Sequence, residues 1–193
     1  MQVQEQRYYS PEEYLELEIA SESRHEYIDG QIIPMTGGTP NHNQIAGNFY
    51  AALNFALKRQ PYRVFVTDQR LWIPKKRIHT YPDVMVIAGQ LELVEGRRDT
   101  ITNPLMIAEV LSSSTKSYDR GEKFAAYRTI PSFREYILID QYNIHVEQYS
   151  KTDENKWMFS EYEDENYLLS LASFQFQILL SDIYDKVDFN AEK

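Results

Sequence analysis

Two short runs of almost uninterrupted apolar residues constrain the fold of this 193-residue chain more than any other feature. They span residues 83–88, which begin with Asp83 after Pro82, and residues 105–110, which contain Glu109 near their end. Apolar runs without polar alternation are typical of central β-strands that are covered on both faces. The two runs therefore predict a sheet with helices packed on it, and each strand carries an acid at one end.

Helix signals occur on both sides of the two runs. Ser10-Pro11-Glu12-Glu13 has capping-box spacing with proline at the first helical position, and it predicts a helix to about Ala20. Apolar residues at helical spacing predict a longer helix over 41–58. A third helix is expected over 117–129, with Ser117 as its cap.

The remaining apolar segments predict strands. Asp29-Gly30 between apolar residues is a strong hairpin signal. Helices that alternate with strands indicate one α/β or α+β domain over residues 1–193, with a mixed central sheet, extra C-terminal β-hairpins and a short tail after about residue 187. Strand pairs are expected at 63–67 with 71–73, at 135–140 with 144–149, and at 157–162 with 167–171, before a last short helix near residue 181.

Composition narrows the class of protein. The chain has no cysteine, which excludes disulfides and zinc–thiolate sites and suits a reducing compartment. The N-terminus lacks the basic and apolar regions of a signal peptide, and no apolar run is long enough to cross a bilayer. We therefore expect a cytoplasmic protein with no membrane partner.

Charge distribution bears on nucleic-acid binding. The net charge of −9 argues against it, but residues 58–79 hold seven basic residues against Asp68 alone. Such a zone can contact phosphates, although a solvated surface is the simpler explanation of the charge by itself. Within the zone, Lys75, Lys76 and Arg77 are the candidate DNA contacts, because they precede Pro82-Asp83 by a few residues and are expected at the rim of a cleft.

Asp83 and Glu109 are the candidate metal ligands. An ionised carboxylate at the mouth of a buried strand needs a partner, and Mg²⁺ takes one or two carboxylates together with waters and phosphate oxygens. Two adjacent strands that end in these acids supply such a pair, and the Val110 carbonyl is a further candidate ligand. A salt bridge to arginine or a helix cap is the alternative explanation for either acid.

Two more ionisable residues are expected near this pair. Asp119, Lys123 and Tyr127 are spaced by four and share one face of the predicted helix, so Lys123 can return to the strand end and act on water or phosphate. Glu26 precedes the predicted hairpin turn and can reach the same cleft. The alternatives are a surface pair of Asp119 with Lys123 and an exposed Glu26 beside Arg24.

Taken in order, these residues resemble a known family. The chain resembles the Uma-two type of restriction endonuclease, a branch of the PD-(D/E)xK nuclease superfamily. The similarity runs from about Tyr9 to Tyr149 and is most specific over 103–136. The matching elements are Glu26 before Asp29-Gly30, then Pro82-Asp83, then Glu109-Val110-Leu111-Ser112-Ser113-Ser114-Thr115, and then Asp119-Arg120-Gly121-Glu122-Lys123-Phe124 with Tyr127-Arg128.

The resemblance implies a fold and a set of roles. The fold is a restriction-endonuclease-like core, in which a mixed sheet is flanked by helices. Asp83 and Glu109 are implied as magnesium ligands, Glu26 as an accessory acid and Lys123 as the catalytic lysine. One position departs from the superfamily pattern, which places a lysine two residues after the second acid, because that position is Leu111 here. Residues 109 and 111 face the same side of a strand, so Lys123 would supply the cation from the adjacent helix.

The leading hypothesis is an endonuclease that hydrolyses phosphodiester bonds in DNA with Mg²⁺ or Mn²⁺. The alternative is a catalytically inactive module on the same fold that binds nucleic acid or protein, with acids that are merely paired. Nucleases of this fold often pair to cut two strands, and the composition permits a homodimer without requiring one. His42, near the start of a predicted helix, is expected to cap or pack, with a phosphate contact as the alternative.

Overall fold

The computed structural model describes residues 7–190 of the chain. The N-terminal residues that lack a signal-peptide pattern and the last three residues of the expected C-terminal tail lie outside the described residues. Within residues 7–190, no helix combines the length and the apolar character needed to cross a bilayer.

Helices and strands alternate along the chain. The helices are α1 (Pro11–Ala20), α2 (Pro40–Ala56), α3 (Lys116–Tyr118), α4 (Phe124–Tyr127) and α5 (Leu180–Ile183), with a 3₁₀ turn at Pro74–Lys76 and a π-helical segment, the π turn, at Asp119–Lys123 that joins α3 to α4. The strands are β1 (His25–Ile28), β2 (Gln31–Pro34), β3 (Tyr62–Val66), β4 (Arg70–Ile73), β5 (Ile78–Thr80), β6 (Val84–Ala88), β7 (Thr100–Ile101), β8 (Met106–Leu111), β9 (Glu135–Asp140), β10 (Val146–Asp153), β11 (Lys156–Tyr162), β12 (Leu168–Ser170) and β13 (Gln177–Leu179).

A six-stranded mixed sheet forms the centre of the molecule, in the order β11-β10-β9-β8-β6-β3. Strands β8 and β9 are parallel and their neighbours pair antiparallel. The two apolar runs of the sequence become β6 and β8, which lie side by side in this sheet. The predicted fold class, an α/β protein with a mixed sheet flanked by helices, is therefore confirmed.

Both faces of this sheet are covered, which explains why β6 and β8 lack polar alternation. Val84, Val86 and Ala108 point to one face and pack with residues of α2 and of the C-terminal segment. Met85 and Ile107 point to the other face, where they pack with residues of α4, β4 and β5. Two apolar clusters, one on each side, thus hold the strands whose ends carry Asp83 and Glu109.

A second sheet of five strands has the order β2-β1-β5-β4-β7. Its β1–β2 hairpin turns at Asp29 and Gly30, which adopt positive φ angles of 41° and 100°. This conformation suits the Asp-Gly pair, and the hairpin prediction is confirmed. The α1 prediction is also confirmed, because Ser10 Oγ accepts the Glu13 N–H and Glu13 Oε2 accepts the Ser10 N–H.

Two predicted strand pairings are wrong. Strand β3 pairs with β6 in the central sheet, whereas the next strand, β4, belongs to the second sheet and pairs with β5 and β7. The chain changes sheets near Thr67, which has a φ angle of 48°. Likewise β11 returns on β10, and β12 pairs with β13 rather than with β11. Sequence proximity suggested both pairs. In the structure β3 pairs with a more distant strand, and β11 pairs with the strand just before it instead of the strand after it.

The predicted helix over 117–129 exists with different details. It begins at Lys116, so Ser117 lies inside the first turn, and the N-terminal residue Thr115 makes no side-chain cap hydrogen bond. The predicted cap at Ser117 is therefore wrong. At the C-terminus, Asp188 exchanges two hydrogen bonds with Asn41 of α2, so the chain stays attached beyond residue 187.

Candidate active site

Asp83 and Glu109 meet where the pairing of β6 with β8 ends. Val84 lies opposite Ala108 in this antiparallel pair, so the next residues outward are the two acids. The Val110 N–H donates to Asp83 Oδ2 at 2.8 Å, and the Asp83 N–H approaches Glu109 Oε2 at 3.4 Å. Each carboxylate is thus held by the backbone of the other strand.

The helix after β8 brings a cation and a hydroxyl to Glu109. Lys123 Nζ lies 2.9 Å from Glu109 Oε1, and the Tyr127 hydroxyl donates to the same oxygen at 2.6 Å. Asp119 Oδ1 lies 3.4 Å from Lys123 Nζ. In an α-helix, residues four apart drift by about 40° around the axis, and the wider π turn offsets that drift. The three residues therefore all reach one strand end.

Glu26 comes to the same cluster from the second sheet. It lies on β1, its carboxylate accepts a short hydrogen bond from the Thr80 hydroxyl of β5, and its Oε1 lies 4.0 Å from Lys123 Nζ. The structure therefore brings together all four residues predicted to act in catalysis, namely Glu26, Asp83, Glu109 and Lys123. It also adds Asp119 as a buried acid within the cluster.

Burial determines the charges of this cluster. Burial raises the pKa of Glu109 to about 8, with the nearby acids Asp83 and Asp119 adding to the rise and Lys123 opposing it. For Lys123, burial by itself would lower the pKa, but the surrounding acids outweigh it and hold the pKa well above its usual value. Lys123 therefore stays a cation. The Asp83 side chain is 16% exposed against 4% for Glu109, so Asp83 lies on the solvent side of the site.

His42 is part of the site. The sequence correctly predicts that His42 lies on a helix, but it does not predict its contact with Asp83. It lies in the first turn of α2, where its N–H donates to the capping side chain of Thr39. Its Nε2 lies 3.2 Å from Asp83 Oδ2. Burial lowers the pKa of His42, but the hydrogen bond and the charge of Asp83 outweigh burial and raise it. No local pattern in the sequence joins residues 42 and 83.

The carboxylates have the chemistry of a site for a hard divalent cation. Asp83 Oδ1 accepts no hydrogen bond from residues 7–190, while its other oxygen is fixed by two donors. The described part of the chain holds no group of three or more histidine or acidic side chains arranged as metal ligands. Mg²⁺ is often bound through one or two carboxylates and completes its shell with water and phosphate oxygens, so the pair Asp83 and Glu109 fits that ion.

The structure also shows the surroundings of Leu111 and of the basic residues predicted to contact DNA. Leu111 is buried and packs in the apolar cluster that contains Phe124 and Tyr127, so the position used for lysine in the superfamily pattern serves packing here. Lys75 and Lys76 are exposed on the 3₁₀ turn, and Arg77 pairs with Asp29 at 3.3 Å. Arg77 lies three residues before Thr80, which contacts Glu26, so it is about 10 Å along the chain from that contact.

A mixed sheet with two acids and a lysine at one strand end defines a restriction-endonuclease-like protein. Residues 11–181 match the Uma2 family, whose description is "Putative restriction endonuclease", and the chain belongs to this family. A crystal structure of "a putative nuclease belonging to DUF820" from Anabaena variabilis has the same fold, with a TM-score of 0.74 and 20% identity over 91% of this chain and 97% of that one.

Two relatives from Synechocystis extend the similarity across most of the chain. The uncharacterized protein sll1609 is 42% identical over 154 residues, which is 80% of this chain and 87% of that protein. The uncharacterized protein slr1290 is 33% identical over 182 residues, which is 93% of each chain.

Proposed function

We propose that this protein is a Mg²⁺- or Mn²⁺-dependent endonuclease that hydrolyses phosphodiester bonds in DNA. One observation carries the proposal: Lys123 Nζ lies 2.9 Å from Glu109, at the strand end where Glu109 meets Asp83. A lysine cation beside two carboxylates of unequal exposure provides both a cation site and a donor to phosphate in one place. Membership in a family described as restriction endonucleases supports the choice of DNA.

The positions of the site residues suggest which of them would bind the divalent ion. Asp83 and Glu109 would hold the divalent ion, together with the Val110 carbonyl, which points toward the β6 side because the Val110 N–H already donates to Asp83 on that side. When bound there, the ion would supply acidity to a coordinated water and positive charge to the scissile phosphate. Tyr127 keeps Glu109 in place through its hydroxyl.

Lys123 would act on the transition state rather than on the ion. Its pKa well above the usual value keeps it protonated, so it can orient the attacking water or donate to the phosphate as negative charge develops. Glu26 would orient water near Lys123, because Thr80 fixes its carboxylate within 4.0 Å of Lys123 Nζ. Loss of Lys123 should then lower kcat and leave ion binding largely intact.

Cleavage of supercoiled plasmid in Mg²⁺ or Mn²⁺ tests this proposal. The wild-type protein should nick or linearise the plasmid, and Lys123→Ala should reduce the rate by at least about 100-fold, the lower range for loss of a proton-transfer or charge-stabilising group. Lys116→Ala is the matched control, since it removes an exposed lysine from the same helical segment. Equal cleavage by wild type and Lys123→Ala would remove Lys123 from the mechanism.

A second candidate function has its own observation. Lys123 lies among the three carboxylates of Glu26, Glu109 and Asp119, an arrangement that also suits a purely structural ion cluster. A module of this kind would bind DNA with a salt-dependent affinity but would not cut it. Binding without cleavage at any divalent ion concentration would therefore select the binding module over the nuclease.

Pairing of two copies remains a prediction, as does a cytoplasmic location. Strand β11 is one of the two edge strands of the six-stranded sheet, and its Met158 and Phe159 are about half exposed. An open edge with apolar side chains can pair with the same edge of a second copy. Light scattering on wild type and on Phe159→Lys tests the pairing, because a lysine there should leave a monomer if β11 forms the interface.

A further inference from the structure

His42 stands at the junction between α2 and the acid pair. Its Nε2 lies 3.2 Å from Asp83 Oδ2, within ion-pair distance, and its side chain is only 16% exposed. The other ring nitrogen, Nδ1, is buried and has no hydrogen-bond partner among residues 7–190. The ring therefore has one polar contact, and that contact is with a carboxylate of the candidate site.

The contact determines which oxygen of Asp83 is available. Oδ2 accepts the Val110 N–H and forms the ion-pair contact with His42 Nε2, whereas Oδ1 receives no donor from the described part of the chain. A carboxylate held through one oxygen by two donors from different elements has little freedom to rotate. Oδ1 is then presented in a constant direction.

The position of His42 is itself fixed to the other strand of the site. Thr39, the cap of α2, donates its hydroxyl to Gln141 Oε1 at 2.6 Å, and Gln141 Nε2 donates to the Leu111 carbonyl at 2.8 Å. Gln141 is 1% exposed. The start of α2 and the end of β8, which carry His42 and Glu109, are therefore joined through one buried side chain.

We propose that His42 is a positioning residue that holds Asp83 with Oδ1 directed at the divalent ion. The inference rests on the proposed function and extends it to a residue outside the predicted catalytic set. Hydrogen-bond partners of metal ligands keep the ligands oriented, and their loss typically weakens metal affinity by 10- to 100-fold.

Titration calorimetry with Mn²⁺, on protein without DNA, tests the role of the side chain. His42→Ala should weaken Mn²⁺ affinity by about 10-fold, the lower end of that range. His42→Gln should recover most of the affinity, because a glutamine amide places an N–H close to the position of Nε2. Thermal melting in EDTA on the same variants shows whether the fold is retained.

A substitution at Gly38 would move the His42 imidazole without changing its chemistry. A Cβ on Gly38 would lie 2.7 Å from His42 Nδ1, so Gly38→Ala must displace the imidazole, whereas a Cβ on Gly37 meets nothing within 4 Å. Gly38→Ala should therefore weaken Mn²⁺ binding in the manner of His42→Ala. Gly37→Ala, the matched control in the same loop, should bind Mn²⁺ as wild type does.

The outcomes separate this inference from the proposed function. The role of His42 would be overturned if His42→Ala and Gly38→Ala both bound Mn²⁺ as tightly as wild type while Asp83→Asn lost Mn²⁺ binding. That result would still support the proposed metal site. Wild-type protein that binds no Mn²⁺ would overturn both. A lowered melting temperature in EDTA with unchanged Mn²⁺ affinity would assign His42 to packing and would also overturn its positioning role.

Discussion

Glu109 and Glu135 are buried acids on the neighbouring parallel strands β8 and β9, yet their surroundings differ completely. Glu135 is 0% exposed and lies opposite Met106, three residues along the strands from Glu109. Its carboxylate accepts hydrogen bonds from Gln148 Nε2 and from the backbone N–H groups of Ala172 and Ser173, among others, and all of these donors are neutral.

Glu109 instead receives a lysine cation and a tyrosine hydroxyl, and it faces a second acid at the strand end. A carboxylate whose oxygens are satisfied by neutral groups of its own fold stabilises that fold and has no capacity left for a ligand. A carboxyl group beside another acid either takes up a proton or needs nearby positive charge to stay ionised. Burial alone therefore does not distinguish the two acids, whereas the charge of their partners does.

The largest effect on stability is expected from Glu135→Ala. The substitution leaves several buried donors without an acceptor, including two backbone N–H groups, and each unsatisfied group costs about 1–3 kcal/mol. We expect a loss of about 3–5 kcal/mol in the free energy of unfolding, measured by urea denaturation. Glu163→Ala, at an exposed acid, is the control. A loss below about 1 kcal/mol would remove the distinction between the two acids.

His79, in the second sheet, is a buried ionisable residue that differs from both acids because it is neutral. Burial, assisted by the charge of Arg70, lowers the pKa of His79 from 6.5 to about 3, so the folded protein holds it neutral. Below pH 6.5 the unfolded chain binds a proton that the folded protein does not, so stability falls with falling pH. At pH 5 the expected loss is about 2 kcal/mol relative to pH 7.

The His79→Phe variant checks that prediction. Phenylalanine keeps a ring against Trp72, which stacks on His79 with centroids 4.1 Å apart, and it cannot be protonated. Denaturation at pH 7 and pH 5 should show a smaller pH-dependent loss for the variant than for wild type. The same loss in both proteins would show that other groups cause the acid sensitivity.

Asp83→Asn should have a small effect on stability and a large effect on ion binding. In metal-free protein the change removes the charge that helps to raise the pKa of Glu109, but it also removes the ion pair with His42. Because these two effects oppose each other, we expect the unfolding free energy to stay within about 1 kcal/mol of wild type. Added Mn²⁺ should raise the melting temperature of wild type only, because a ligand stabilises the state that binds it. Equal Mn²⁺ stabilisation of both proteins would contradict the proposed site.

The smallest effect on stability is expected when Lys75 and Lys76 are both replaced by glutamine. Both side chains are exposed and neither forms a salt bridge within residues 7–190, so stability should change by less than about 0.5 kcal/mol. If both contact phosphates, the slope of log affinity for DNA against log salt should fall by about 2. An unchanged slope would place the DNA on another face.

The sequence predicts most of the site because its strongest signals are local. The apolar runs place Asp83 and Glu109 at strand ends, and the spacing of Asp119, Lys123 and Tyr127 places them on one helix face. Local patterns do not predict the contacts of residues whose partners are distant along the chain. Glu135, which lies at the start of a predicted strand, carries no sequence signal for its contacts with residues 172–173.

The same limit explains the wrong strand pairs and the missed contact of His42. Strand β3 pairs with β6, and β4 pairs with β7. These pairings depend on which faces of the strands are buried rather than on the residues of the turns. His42 reaches Asp83 only because α2 crosses the sheet near that strand end. Each outcome follows from tertiary packing, which a single sequence does not display.

The π turn at Asp119–Lys123 has a consequence for how this chain can vary in length. A π turn behaves as an α-helix with one residue inserted, so straightening it into a regular helix without a deletion would rotate everything before it by about 100° relative to Tyr127. Tyr127 could then stay on Glu109 only if Asp119 left the cluster. This segment therefore keeps Asp119 and Tyr127 in phase in two ways, either at its present length with the π turn or one residue shorter as a regular helix.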